Sequence, residues 1–280
     1  MPDRLTRDTP IVDFSGHIVA DGYVPEFMKP LDEIIGPAHN DPDVVLKRYQ
    51  DAGIDRVVLS QPPYMGHSDA DAVAESNDAL KSIIDDYEDF HGLAAIPTPA
   101  GGKEAAAELE RCLENGFNGG ALETMSDWIE LDDEAVEPIF DVAEKYDAPL
   151  LIHPKIDASL DEDVDVLSDR YRLNAIFGRE AALSESIFKI VHQGILEERP
   201  DLNLVFHHLG GNIASMLGRA HLHLDIGRWP GQDHVKPFDE FKRILDSLLE
   251  LFITEDVLCL GKKLAVVSAV PSERRCFTGQ

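Results

Sequence analysis

The chain has 280 residues, of which 44% are hydrophobic, and carries 53 acidic against 25 basic residues for a formal net charge of −28. That length suits one α/β barrel of roughly 250 residues, and the apolar content is enough for a sizeable core, which excludes global disorder. The acid excess repels phosphate backbones and anionic lipid, so nucleic acid and membrane surfaces are excluded as partners.

In chain order, short β-branched or apolar runs alternate with longer stretches of helical periodicity. The runs are 10–14 (PIVDF), 56–60 (RVVLS), 92–97 (GLAAIP), 117–122 (FNGGAL), 149–153 (PLLIH), 203–208 (NLVFHH) and 251–258 (LFITEDVL). Between them, amphipathic stretches at 41–52, 69–90, 103–115, 133–146, 180–199 and 239–248 predict helices. Asp132 or Asp133 is placed to cap the helix that begins EAVEPIF, while Gly53 and Gly116 follow helices where a left-handed residue is wanted. Continuous apolar strands between helices mean a parallel sheet buried on both faces. Seven such strands predict a (β/α)8 TIM barrel over residues 1–280 as a single domain, since no linker or composition shift divides the chain. The first strand leads into Asp13-Phe14-Ser15-Gly16-His17, which has one glycine and no phosphate-binding loop. A dinucleotide oxidoreductase therefore loses support.

The acids are scattered along the chain, as at Asp85-Asp86, Asp161-Glu162-Asp163 and Glu197-Glu198. Scattered acid with sparse lysine fits a halophilic protein hydrated in a salt-rich cytoplasm. Cys112, Cys259 and Cys276 are odd in number and lack CxxC spacing, which argues against disulfides and thiolate zinc sites. Residues 1–10 hold no apolar segment, and no stretch reaches about 18 apolar residues, so a cytoplasmic location without signal peptide or membrane span is expected.

In a barrel, chemistry sits where strands end and βα-loops begin. Strand one ends at His17, strand five at His153-Pro154-Lys155, and strand six at His207-His208-Leu209-Gly210-Gly211. Three strands thus deliver histidine, the commonest metal ligand and the usual base near neutral pH, to one mouth. Because successive strand residues face opposite ways, only one of His207 and His208 is expected inside. The glycine pair after His208 favours His208, leaving His207 packed or at the surface. Lys155 and Arg219 are cations near the predicted mouth that could grip a substrate carboxylate, the arginine as a bidentate fork.

These residues, with GIDRVVLSQPP, GLAAIPT, LERCLENGFNGGAL, LDDEAVEPIFDVAEKYDAPLLIHP and above all IFKIVHQGILEERPDLNLVFHHLGGNIASMLGR, resemble the amidohydrolase-2 family. That branch contains aminocarboxymuconate-semialdehyde decarboxylase and related aromatic-acid decarboxylases. The resemblance implies a (β/α)8 barrel with one divalent metal, zinc first and manganese second. The family's ligands are an HxH pair after strand one, a histidine ending strand five and an aspartate ending strand eight. By resemblance His17 and His153 bind the metal and His208, in the HLGG motif, handles protons. Two departures stand out. Ser15 occupies the place of the first histidine of the pair, and the chain reaches Gln280 without the Gly-Ser/Thr-Asp strand, so a truncated or frameshifted last strand is expected. The implied activity is hydrolysis or non-oxidative decarboxylation of a small, aromatic or similar carboxylate. The alternative is an inactive barrel, a pseudoenzyme or binding protein, from which the metal is absent because its site is incomplete. An open seam at the last strand makes a homodimer the assembly to test.

Overall fold

The computed structural model describes residues 11–31, 36–154, 171, 173–225 and 235–249. The seventh expected strand, the C-terminal departure and Lys155 lie outside the described residues. Six parallel strands form one sheet: β1 Val12–His17, β2 Arg56–Ser60, β3 Phe90–Ala95, β4 Gly119–Glu123, β5 Leu150–His153 and β6 Leu204–Phe206, paired in that sequence order. The helices between them are α1 Pro42–Ala52, α2 Ala70–Asp86, α3 Gly102–Glu114, α4 Glu137–Lys145 and α5 Arg179–Gln193, with α6 Ile213–Leu224 and α7 Phe238–Leu249 following β6. A small antiparallel hairpin, Met125–Ser126 with Ile129–Glu130, follows β4.

Local chemistry explains several helix ends. Asp41 Oδ1 accepts from the N–H groups of Asp43 and Val44 at the start of α1, and Asp69 does the same for Asp71 and Ala72 at α2. Gly53 ends α1 at φ 81°, where a side chain would strain the backbone. The expected cap at Asp132 or Asp133 does not form. Helix α4 begins at Glu137 with Val136 as its unbonded cap, because Pro138 can enter only in the first turn.

The sheet separates two apolar clusters by residue parity. Val57, Leu59, Ala94, Ile96, Leu122, Leu150, Ile152, Leu204 and Phe206 pack outward with the helices. Their alternates, Val58, Leu93, Ala95, Ala121, Leu151 and Val205, form the inner cluster. Phe140, Phe206 and Phe241 are among the largest fully buried side chains, and burying each contributes roughly 1.5–3 kcal/mol. Laid flat, six strands would span about 24 Å at the usual spacing of about 4.8 Å. Instead the rings of His17 on β1 and His207 just after β6 have centroids 5.1 Å apart. The sheet is therefore rolled, and among the described residues its two edge strands send side chains to one axis.

Candidate metal centre

Parity decides what reaches the axis at the C-terminal mouth. Two residues beyond Ala121, Leu151 and Val205 stand Glu123, His153 and His207, so all three continue the inner face. On β1 the register slips between Asp13 and Gly16, and His17 comes opposite Ser60. That bulge turns the His17 ring inward. A Cβ at Gly16 would stand 2.3 Å from Val57 Cγ1, so the bulge also needs glycine there.

His17, His153 and His207 each offer a ring nitrogen, and the three nitrogens lie within 4.8 Å of one another. Their rings pack at centroid distances of 5.1 Å (His17–His153), 5.1 Å (His17–His207) and 4.8 Å (His153–His207). Burial favours the neutral form of each ring. It pushes His17 down to about 4, helped by repulsion from His208, and His207 down to about 2, helped by His17 and His208. His153 is lowered well below its ordinary value by burial, with the neighbouring histidines adding to it. Neutral imidazoles with free lone pairs are the state that binds a cation.

The hydrogen bonds say which nitrogen is free. His153 Nδ1 lies 2.6 Å from the Pro154 carbonyl and must donate to it, leaving Nε2 bare. His17 Nδ1 is 3.0 Å from Ser60 Oγ, whose own proton goes to the Gly16 carbonyl at 3.3 Å, so the imidazole is the donor and Nε2 is again bare. His207 is the mirror case. Its ring bonds to the backbone of Ser15, while Nδ1 is buried with no partner. A buried nitrogen lone pair without a donor is costly unless something electropositive meets it. The three donors fit a divalent metal ion.

The expectation for the paired histidines needs correction. His207 is buried at 6% exposure and belongs to the cluster, whereas a packed or surface role was expected. The strand ends at Phe206, so His207 is the last residue to follow its parity. His208 opens a short 3-10 turn, His208–Gly210, at φ 49°. It is not lost to the site: its ring lies 4.4 Å from that of His207 and 6.2 Å from that of His153, at the partly exposed rim. Ser15 is buried, and its N–H and hydroxyl turn to Asp13 Oδ1 at 2.9 and 3.4 Å. The serine that departs from the HxH pattern thus serves the bulge and, through its backbone, the His207 ring. Arg219 stands on the exposed side of α6 and makes no ion pair with a described residue.

Two acids at the site are not foreseen from the sequence. Glu123 is buried at the end of β4, opposite His153 across the ladder, and accepts from Ser126 Oγ at 3.2 Å. The apolar run that marks this strand in the sequence stops one residue short, at Leu122. Glu180, in the first turn of α5, lies with Oε1 2.6 Å from His208 Nδ1. A helical acid far from any strand end gives no sequence signal for such a contact.

A family model described as Amidohydrolase (Amidohydro_2) matches residues 12–258, and the chain belongs to that family. It is 29% identical over 187 residues to a 2-amino-3-carboxymuconate-6-semialdehyde decarboxylase of Dictyostelium discoideum, covering 64% of this chain and 50% of the relative. It is 27% identical over 197 residues to a gamma-resorcylate decarboxylase of Rhodococcus jostii, covering 63% and 58%. The matches therefore span about half the length of these relatives. Among solved structures, a dihydroxybenzoic acid decarboxylase from a Polaromonas species, with bound manganese and the inhibitor 2-nitroresorcinol, superposes with a TM-score of 0.68. Its identity is 17%, over 92% of this chain and 78% of that one, and it supports the fold. No helix among the described residues is long and apolar enough to cross a membrane.

Proposed function

We propose that the chain is a metal-dependent enzyme that removes carbon dioxide from a small aromatic carboxylate, with hydrolysis of a related substrate as the second reading. The observation that carries it is the cluster of His17, His153 and His207, whose ring nitrogens come within 4.8 Å of one another and in which His207 Nδ1 is buried without a partner. His17 and His153 are the ligands expected from the sequence, and His207 joins them. A bound divalent ion would supply Lewis-acid polarisation of the substrate's oxygens. Three imidazoles favour zinc, while the manganese in the Polaromonas structure makes manganese the competitor.

The chain's own residues do the rest. Lys155 and Arg219 are the cations proposed to take the carboxylate. His208, at the rim beside the cluster, delivers the proton. The carbon–carboxylate bond breaks with its electron pair left on carbon, carbon dioxide departs, and the proton from His208 closes the C–H bond. Names of the two curated relatives support a decarboxylase over a hydrolase.

The setting we propose is a salt-rich cytoplasm, supported by the −28 charge, and the assembly a homodimer. Exposed Tyr171, Ile176 and Phe177, close together in sequence beside the start of α5, support a second copy as the partner.

The test is purification in high salt, elemental analysis, and assay of 2,6-dihydroxybenzoate for carbon dioxide release. Stoichiometric zinc or manganese, lost in His153→Ala, together with turnover, upholds the reading. A metal-free protein indifferent to that substitution would instead mark an inactive barrel.

A further inference from the structure

The first turn of α5 and the turn after β6 are joined at several points. His208 Nδ1 and Glu180 Oε1 are 2.6 Å apart, with side chains 29% and 21% exposed. The N–H of Asn212 approaches the Glu180 carbonyl at 3.4 Å and donates to Ser184 Oγ at 2.8 Å. A Cβ at Gly211 would stand 2.2 Å from the same Glu180 carbonyl oxygen, so the two backbones are pressed together. His208 meanwhile holds φ 49°, a left-handed conformation that a side chain rarely adopts without support. A helix-start glutamate could satisfy itself in water at the positive end of its helix. Glu180 instead turns to the one ring at the rim of the histidine cluster.

We propose that Glu180 is a positioning residue for His208. Its carboxylate accepts Nδ1–H, which fixes both the rotation of the ring and its tautomer, and leaves Nε2 as the nitrogen that exchanges a proton with substrate. When Nε2–H passes its proton to the substrate carbon and the carbon–carboxylate electron pair takes it, the ring returns to neutral imidazole with its Nδ1–H still held by Glu180. Glu180 touches neither the substrate nor the metal ligands in this scheme. The inference rests on the reading of His208 as the proton-handling residue.

Glu180→Gln and Glu180→Asp, made in the full chain, test it together with the native protein. Three quantities are measured: metal content, kcat and KM for 2,6-dihydroxybenzoate, and the nitrogen-15 spectrum of labelled histidine. The expected native spectrum has one histidine, absent from His208→Gln, with Nδ1 protonated and its proton far downfield. In Glu180→Gln that proton moves upfield or vanishes, metal content and KM hold, and kcat falls by about 100-fold, the lower range for losing general acid–base help. Glu180→Asp recovers part of kcat. An unchanged kcat in Glu180→Gln, or a loss explained by missing metal or raised KM, overturns the proposal. If the native protein does not turn over this substrate, the decarboxylase reading fails there, and the spectrum alone decides on Glu180. A native His208 with bare Nδ1 overturns the positioning role even if the variants fail to fold. A protonated Nδ1 that depends on Glu180 upholds it.

Discussion

Three histidines at one mouth could be a packed core feature or a ligand set, and their hydrogen bonds bear on the choice. A lone packed ring can leave one nitrogen buried and unbonded, as His192 Nε2 does beside Phe188 and Phe241, so it is the clustering of three such rings that points to a ligand set. Here the rings of His17 and His153 each spend Nδ1, His207 spends its other nitrogen on the Ser15 backbone, and the three rings bring nitrogens within 4.8 Å of one another. The residue-scale prediction separates the two adjacent histidines. His207→Gln should purify with its metal content reduced at least as far as in His153→Ala, whereas His208→Gln should keep its metal and lose turnover. Elemental analysis and the visible spectrum of the cobalt-substituted protein read this directly, and equal metal content in both variants would sink the assignment of His207. His17 and His153 were legible in the sequence because each closes a recognisable strand. His207 was not, for a physical reason: a parallel strand buried on both faces reads as an unbroken apolar run, so Leu204-Val205-Phe206 carries no mark of which parity faces the axis.

The element that makes the site possible is the connection from β6 to α6. It must leave the strand, present His208 at the rim, and tuck against α5 within a few residues. Two glycines accomplish this, Gly210 at φ 70° and Gly211 at φ 66°, ψ −131°. The second conformation is open almost solely to glycine, and the Glu180 carbonyl leaves no room for a methyl group. Gly211→Ala should therefore cost about 1–3 kcal/mol from the backbone alone, before any steric penalty, and lower the melting temperature accordingly. It should also part the two segments, so that the histidine spectrum of Gly211→Ala loses the downfield Nδ1 proton as Glu180→Gln does. A variant with unchanged melting temperature would show that the turn tolerates a side chain. At this scale the sequence was informative about strands and about the caps at Asp41, Asp69 and Gly53, whose chemistry is local. It was silent about the bulge in β1, which moves His17 from one face to the other, because a register slip depends on the neighbouring strand.

Across the whole molecule, charge is the feature that sets how stability responds to solvent. Of the described ion pairs, several are exposed i,i+4 contacts such as Lys47–Asp51 and Lys242–Asp246, each worth only about 0.3–0.5 kcal/mol. Such pairs offset little of a net charge of −28, and repulsion among the remaining acids opposes the compact state. Screening should relieve it, since the Debye length shrinks from about 10 Å at 0.1 M salt to about 3 Å at 1 M. Recovering about 3 kcal/mol would raise the melting temperature by roughly 6–12 °C for a chain of this size. Salt can also act by strengthening apolar burial, so a second variant isolates the effect of charge. Glu75, Asp86, Glu88 and Glu198 are exposed and lack a described ion pair, and replacing all four by Gln or Asn leaves a net charge of −24, from −28 plus four. That variant should melt higher than the native chain at 0.1 M potassium chloride and gain less on going to 2 M. If both proteins instead gain equally, salt acts through burial, and the acidity of this chain does not set its response to salt.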